Sequence, residues 1–449
     1  MRPLSGVPDY ITHAAPTDVS KTNNGIRVAS ETGFGETATV GVWIDAGSRY
    51  ETAKNNGAAH FLEHMAFKGT QSRSQQQMEV EIENMGGHLN AYTSREQTVY
   101  YAKVLKNDVP KAMEILSDIL INARHDEQAI ERERDVILRE MEEVNKQYEE
   151  QILDQLHSTA FMGTGLGRTI LGPKENILSL QRNDLQDFIK THYTADRFVI
   201  AGAGAVDHNQ LVELTEKHFG GLPQPPKEGV PTFMDPAVFT GSDIRIRYDS
   251  MKEAHVALAF QGASWTSEFC FPLMVIQTIL GSWDRAGGGG RNLASRFAQD
   301  VASKDLAHSY MTFNTCYKDT GLFGIYLVAP DNKLDDAMYY ATENIVRMCH
   351  NVSDEEVARG KTQLKANMLM QLDSYSATCE DIGRQMLTYG RRMPNAELFA
   401  RIDAITTDDI KTTANKFFND EDHALAAIGP IFELPDYNWI RRRSYWHRY

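Results

Sequence analysis

Hydrophobic and polar residues alternate along the chain with two periods, and these predict a mixture of strands and helices. Residues 25–51 predict two strands, because Val40, Val42 and Ile44 alternate with smaller or polar neighbours. Other short elements are predicted from the same periods: helices at 74–85, from 108 onward and at 184–192, and strands at 88–92, 98–101 and 198–201.

A longer helical pattern runs from Asp126 to Leu156. Its apolar stripe includes Ile130, Ile137, Val144 and Tyr148, at steps of seven and four residues. The stripe predicts one continuous helix with a buried face.

The second half of the sequence repeats the pattern of the first. Leu185 and Gly204 recur as Ile410 and Gly429 at a shared offset of 225 residues. Between the halves lies the proline- and glycine-rich run GGLPQPPKEGVP, which is typical of a linker. We therefore predict an α+β fold of two homologous duplicated halves, each an antiparallel or mixed sheet packed with helices, with an N-terminal half at 1–219, a linker at 220–235 and a C-terminal half at 236–449.

Composition narrows the class of protein. A chain of 449 residues is too long for one ordinary core, and 42% hydrophobic with 24% charged residues is typical of a soluble globular protein. No run reaches the roughly 18 apolar residues that span a bilayer, so no transmembrane segment is predicted. The net charge of −15 argues against nucleic acid and favours cationic ligands, although acidity also serves solubility alone.

Cysteine and glycine patterns exclude two further classes of site. The four cysteines have no CxxC spacing, so free thiols are predicted. The run Gly287–Gly290 is not followed by GxxxxGK[ST], which makes a phosphate-binding loop improbable. The N-terminus has neither an apolar secretion segment nor an Arg-rich import segment.

The chemistry concentrates in His60-Phe61-Leu62-Glu63-His64. On a helix, His60 and His64 lie one turn apart on the same face, where two imidazoles hold one metal ion. The order H-x-x-E-H is an inverted zinc peptidase motif, in which Glu63 suits a general base that removes a proton from water. The alternative is a chance match with ordinary helix histidines.

Local sequence favours a helix at the motif. Asn55, Asn56 and Gly57 are predicted to cap its start, and Gly69 to close it.

A third ligand is needed, because catalytic zinc takes three protein ligands and one open position. Glu133 and Glu140 both fall on the apolar stripe of the long predicted helix. A carboxylate on a buried face is costly unless it is paired or binds a metal. Both glutamates are therefore candidates for the metal centre.

These residues together resemble a known family. His60-x-x-Glu63-His64 followed by Glu133-x6-Glu140 resembles the pitrilysin and insulysin type of inverted zinc metallopeptidase. The resemblance implies bound Zn²⁺, with Glu140 as the third ligand and Glu133 as a supporting catalytic carboxylate. It covers nearly the whole chain and implies that only the N-terminal half is catalytic, since Leu273–Leu280 replaces the motif in the second half.

The resemblance also implies residues that act on a peptide. Tyr317 matches a tyrosine that stabilises the tetrahedral intermediate, although Tyr310 stands where insulysin-like members have an arginine. The remaining matches are to a peptide-binding edge strand, an aromatic pocket and an acidic pair for arginine, and they fall on Asn90, Ala91, Phe67, Glu150 and Asp154. Without the family, Tyr317 and Phe67 are ordinary packing residues and the acids are solvated.

The runs NAYTSREQTVYYAKVL and ERERDVILREMEEV resemble, within that family, the subunits that process import presequences in mitochondria. This implies Arg-rich presequence substrates, a partner subunit with a longer glycine-rich loop, and a location on the matrix side of the inner membrane. In some lineages it also implies association with the cytochrome bc1 complex, to which the basic and aromatic tail after Pro435 is similar. The alternatives are a catalytically inactive structural subunit of that complex and a stand-alone peptidase.

Overall fold

The computed structural model describes residues 15–225, 235–288 and 293–445. Parts of the predicted linker and glycine run, the first 14 residues and the last four of the tail therefore lie outside the described residues. The strands are β1 (Asp18–Lys21), β2 (Arg27–Thr32), β3 (Thr37–Ile44), β4 (His88–Thr93), β5 (Thr98–Leu105), β6 (Phe198–Gly204), β7 (Ser242–Arg247), β8 (Ala254–Gly262), β9 (Ser282–Asp284), β10 (Ser309–Cys316), β11 (Gly321–Ala329) and β12 (His423–Gly429).

The α-helices within the same ranges are α1 (Ala58–Ala66), α2 (Gln75–Asn84), α3 (Val109–Ile121), α4 (Glu127–Val144), α5 (Tyr148–Ala160), α6 (Lys174–Ser179), α7 (Arg182–His192), α8 (His208–Phe219), α9 (Cys270–Leu280), α10 (Arg296–Lys304), α11 (Leu334–His350), α12 (Asp354–Gln371), α13 (Tyr375–Thr388), α14 (Asn395–Ala404), α15 (Thr407–Phe418) and α16 (Tyr437–Arg443).

The first compact unit is built on a mixed sheet of six strands in the order β1-β2-β6-β3-β5-β4. Strands β2 and β6 are parallel, and the other neighbours are antiparallel. On one face, Val40 and Val42 join the core that α1 and α3 cover, while Trp43 faces a smaller core with residues of α13. Strand β4 lies at an edge of this sheet.

The second compact unit repeats this plan. Its sheet has the order β7-β12-β8-β11-β10-β9, with β7 and β12 parallel. One face joins a core with α9, α11 and α15, and the other packs against Ile152 and Leu156 of α5. Gly204 and Gly429 end the equivalent strands β6 and β12 with φ of 95° and 119°. The predicted α+β duplication is confirmed.

Each compact unit contains one helix that comes from the other half of the sequence. The first unit contains the described residues up to Glu142 together with Arg168–Asp235 and Leu369–Ala396, so that α13 belongs to it. The second contains Glu143–Gly167, and therefore α5. The prediction of two contiguous halves does not include this exchange, because an apolar stripe shows that a helix has a buried face but not which sheet it covers.

The predicted continuous helix from Asp126 to Leu156 is wrong. Helix α4 ends at Val144, and α5 begins at Tyr148 after a turn in which the Gln147 N–H bonds the Val144 carbonyl. Val144 is half-buried and Tyr148 exposed, so the buried stripe of α4 stops at Ile137. The break allows α5 to pack on the sheet of the second unit.

Gly383 tests the packing of α13 on the first sheet. A Cβ at this position would lie 2.1 Å from Cδ2 of Trp43. Gly383→Ala gains about 1 kcal/mol in helix propensity, but overpacking of this kind typically costs about 1–3 kcal/mol, and here the clash is severe. We expect a lower free energy of unfolding in urea. Gly221→Ala is the control, because its Cβ meets no atom within 4 Å; equal loss in both variants would contradict the packing.

Candidate metal centre

Helix α1 carries the two histidines of the motif on one face. His60 is buried and His64 half-buried, and their ring centroids lie 4.7 Å apart in an edge-on arrangement. This is the geometry that the four-residue spacing predicts on a helix.

Glu140 of α4 completes the cluster. Its Oε2 lies 3.1 Å from Nε2 of His64 and 3.6 Å from Nε2 of His60. One ligand atom from each residue falls within 4.8 Å of the others, which makes this the one such group of three among the described residues. The Glu140 side chain is 39% exposed, so the cluster is open to solvent on its side.

The donor set fits a catalytic metal ion. Two imidazole nitrogens and one carboxylate oxygen are three of the four ligands of a catalytic zinc site, and both Nε2 atoms converge on the same carboxylate. Hydrogen bonds from His60 and His64 lower the pKa of Glu140 well below its usual range. Burial lowers the pKa of His64, but its hydrogen bonds to Glu140 and Glu133 raise it by more. Glu140 is therefore ionised, as a metal ligand must be, whereas His64 has to release a proton before its nitrogen can bind a metal ion.

Glu133 contacts the cluster through Nδ1 of His64, the ring nitrogen that does not face Glu140. It is buried, and its Oε2 lies 3.3 Å from Nδ1 of His64 while its Oε1 pairs with Nζ of Lys68 at 2.8 Å. A carboxylate on the second ring nitrogen fixes the orientation of a metal-binding histidine and raises its basicity. Lys68 balances the charge that Glu133 brings into the interior.

Glu63 points toward the edge strand. The hydroxyl of Thr93, at the end of β4, donates a hydrogen bond of 2.6 Å to Oε2 of Glu63. Burial, together with Glu63 and Tyr193 nearby, raises the pKa of Tyr100 well above its usual range. Glu63 is therefore oriented by β4 and lies outside the group of three ligand atoms.

Three predicted peptide-binding residues also lie in the first unit. Asn90 and Ala91 lie on β4 and pair with Tyr101 and Tyr100 of β5, its one neighbour in the described sheet. They therefore lie on the edge strand of that sheet. Phe67 follows α1 directly, and its ring lies 6.4 Å from that of Tyr100.

The other predicted residues belong to the second unit. Glu150 and Asp154 lie on α5, with Glu150 exposed and Asp154 half-buried. Tyr317 is buried, and its hydroxyl lies 2.7 Å from Nε2 of His157. Because Nδ1 of His157 lies 2.6 Å from the Leu153 carbonyl, which only accepts, Nε2 of a neutral imidazole accepts a hydrogen bond from the Tyr317 hydroxyl.

The predicted cap of α1 is partly wrong. Gly57 occupies the N-cap with φ of 103°, but the side chains of Asn55 and Asn56 do not cap the helix: they bond Thr52 and Glu51 instead. The capping carboxylate comes from Glu51, which bonds the N–H groups of Gly57 and Ala59.

Sequence reasoning also missed Thr93 and Lys68. Lys68 lies two residues beyond the end of α1, but it follows His64 by four residues, and this helical spacing was the available signal in the sequence. Thr93 is on a strand remote in sequence from Glu63, and no local pattern pairs them.

A motif-bearing helix completed by a glutamate from a later helix, on one of two duplicated α+β units, defines an inverted-motif metallopeptidase. Two family models match the chain: Insulinase (Peptidase family M16) at residues 27–174 and Peptidase M16 inactive domain at residues 179–364. The chain belongs to peptidase family M16, whose members are metallopeptidases, and within it to the mitochondrial-processing peptidase beta subunits.

Full-length relatives support this placement. The chain is 54% identical over 449 residues to the probable mitochondrial-processing peptidase subunit beta of Arabidopsis thaliana, covering 100% of this chain and 85% of the relative. It is 51% identical over 448 residues to the subunit beta of Mus musculus, with 100% and 91% covered. A chain in the structure of Complex III2 from Candida albicans with Inz-5 bound superposes with a TM-score of 0.86 at 26% identity, covering 96% of this chain and 100% of that one.

The second family model is named as an inactive domain, and the helix of the second unit that corresponds to α1 agrees with that name. Helix α9, at Cys270–Leu280, carries no histidine or acidic residue. Among the described helices, none is long and apolar enough to cross a membrane.

Glu133→Gln tests the support of His64. The amide keeps the shape but loses the charge that pairs with Lys68 and holds the imidazole. We expect zinc affinity to fall about 10–100-fold, the usual effect of losing such a partner, measured by competition with a chromophoric chelator. Glu131→Gln, an exposed position on α4, is the control; equal affinities in wild type and Glu133→Gln would contradict the role.

Proposed function

We propose that this chain is the catalytic beta subunit of a mitochondrial processing peptidase, a zinc metalloendopeptidase that removes N-terminal presequences from imported precursors. The observation that carries the proposal is the convergence of His60, His64 and Glu140 within 4.8 Å, with Glu63 on the same helix as the two histidines. The identity to beta subunits over the whole chain supports the substrate class.

His60, His64 and Glu140 would hold the zinc ion, with Glu133 fixing His64. Zinc, when bound, supplies a Lewis acid that polarises the scissile carbonyl and acidifies water. Glu63 acts as the general base that takes a proton from the attacking water and passes it to the leaving amine. The hydroxyl of Thr93 keeps the Glu63 carboxylate oriented for this transfer.

The substrate binds as an added strand. Asn90 and Ala91 lie on the edge strand β4, whose outer side offers main-chain groups to an extended peptide. Phe67 lines the pocket for the residue after the cleaved bond. Because strand addition reads backbone rather than sequence, this mode suits presequences of varied sequence.

Residues of the second unit supply specificity. Glu150 and Asp154 receive an arginine two residues before the cut, since carboxylates hold a guanidinium by charge-assisted hydrogen bonds. Tyr317 stabilises the oxyanion, and for this role its hydroxyl exchanges the hydrogen bond with His157 for one to the developing charge.

The chain would act with an alpha subunit (core 2-like), on the matrix side of the mitochondrial inner membrane. A second function, as a core subunit of the cytochrome bc1 complex beside its other subunits, is favoured by the likeness to a chain of Complex III2. We propose that one chain serves both, since the metal cluster is complete; an inactive structural subunit has no need of it.

Cleavage of an Arg-containing presequence peptide tests the proposal. The full chain with its alpha partner is assayed untreated, after chelation and after zinc is restored. We expect cleavage that is lost on chelation and regained with zinc. Cleavage unaffected by the chelator would contradict a metal-dependent mechanism, whereas no cleavage with zinc bound and the partner present would leave the structural role as the better account.

Glu63→Gln separates metal binding from proton transfer. The amide cannot accept the proton, and loss of a general base typically costs about 10²–10⁴-fold in rate. We expect zinc content to match wild type while cleavage falls by that factor, with zinc measured by elemental analysis of the same preparation. Glu142→Gln, at an exposed position of α4, is the control; retained cleavage in Glu63→Gln overturns the assignment.

The double variant Glu150→Gln, Asp154→Asn tests the arginine site. A hydrogen bond to a charged group contributes about 1.5–3 kcal/mol, so its loss should reduce the preference for arginine over alanine two residues before the cut about 10–100-fold. The ratio of kcat/KM for the two peptides measures this preference. Glu143→Gln, exposed at the end of α4, is the control; an unchanged ratio in the double variant contradicts the site.

A further inference from the structure

The start of the metal-binding helix is held by a carboxylate outside the motif. Glu51 is only 3% exposed, and both of its oxygens are used. Oε1 accepts a hydrogen bond of 2.7 Å from the N–H of Ala59, and Oε2 accepts from the N–H of Gly57 at 2.9 Å and from Nδ2 of Asn56 at 2.7 Å. Glu51 thus satisfies donors that a helix leaves without partners at its first turn.

Helix α1 depends on such external support. It has 9 residues, Ala58–Ala66, which is shorter than a helix that is stable on its own. His60 directly follows Ala59, so the first turn that Glu51 fixes is the turn that aims the first imidazole. His64 lies one turn further along the same rigid segment. An error in the direction of the first turn would move both rings relative to Glu140.

Glu51 is itself fixed by the segment before α6. Arg168 donates through Nη1 to the backbone carbonyl of Glu51, and Asn56 donates to the Thr169 carbonyl at 2.8 Å as well as to the Glu51 carboxylate. The cap is therefore tied to a part of the first unit that belongs to neither α1 nor α4. It acts as a fixed reference for the position of α1.

The charge of Glu51 does not favour folding. Burial raises the pKa of Glu51 to about 7, although hydrogen bonds from Ala59, Asn56 and Gly57 lower it. Because the folded state then holds the proton more tightly than the unfolded chain, this group's contribution to stability falls as pH rises from about 4.5 to about 7. A neutral side chain would avoid that penalty, but a glutamine could not accept hydrogen bonds through both of its terminal groups.

We propose that Glu51 is a positioning residue for the metal centre: it fixes the first turn of α1 so that His60 and His64 meet Glu140. Its loss weakens metal binding more than it weakens the fold. The inference rests on the proposed metal site and deepens it.

Glu51→Gln is the direct test, on the full-length chain at pH 8. Glutamine has one acceptor oxygen, so its NH₂ group stands either in place of Oε1, where the Ala59 N–H loses its acceptor, or in place of Oε2, where the Gly57 N–H and Nδ2 of Asn56 both lose theirs. We expect the zinc dissociation constant, from competition with a chromophoric chelator, to rise at least about tenfold. The temperature of unfolding of the metal-free chain is measured in parallel.

Asp207→Asn is the matched control, because Asp207 caps α8 of the same unit by accepting from the Gln210 N–H, and asparagine caps equally well. Its zinc affinity should equal that of wild type. Wild-type affinity in Glu51→Gln overturns the inference, whereas a wild-type chain that binds no zinc at this site removes the proposed metal centre itself.

Asn56→Ala decides the matter if Glu51→Gln does not fold. This variant removes one donor to the carboxylate and leaves both helix N–H bonds in place. A severalfold loss of zinc affinity in the folded variant supports the inference, and an unchanged affinity overturns it.

Discussion

The constraint on which the site depends is that two helices must bring two imidazoles and a carboxylate within 4.8 Å of one another. Helix α1 is too short to hold a direction by itself, and Glu140 lies on a different helix. Contacts of Glu51 and Glu133 help to hold α1 and His64 in position. Glu51 fixes the start of α1, and Glu133 links His64 to Lys68 beyond its end. Because these contacts hold the three side chains in place before a metal ion arrives, little rearrangement of the protein is needed for binding.

The duplicated architecture shows that the fold alone does not define the chemistry. Both units have a mixed six-stranded sheet. A helix follows β3 in the first unit and β8 in the second, and a glycine with positive φ ends β6 in the first unit and β12 in the second. In the second unit that helix, α9, is apolar and buried along most of its length. The same position therefore serves packing in one unit and carries the two histidines proposed to bind a metal ion in the other, as expected when function resides in side chains placed on a common scaffold.

The duplicated fold and the pairing of the two histidines could be predicted from the sequence, because residue spacing determines both. The spacing of His60 and His64 fixes their shared face, and the offset between Gly204 and Gly429 marks the duplication. The exchange of α5 could not be predicted, since its apolar face fits either sheet. The cap from Glu51 was missed because it reaches a helix that starts several residues later, and the bond between Tyr317 and His157 joins positions 160 residues apart.

Anomalous diffraction at the zinc absorption edge, from crystals of the full chain prepared with zinc, would show whether His60, His64 and Glu140 bind the metal. We expect a peak bounded by Nε2 of His60, Nε2 of His64 and the carboxylate of Glu140, with Glu63 outside the coordination shell. A peak that excludes Glu140, or no peak between these residues while zinc is bound elsewhere in the chain, would contradict it.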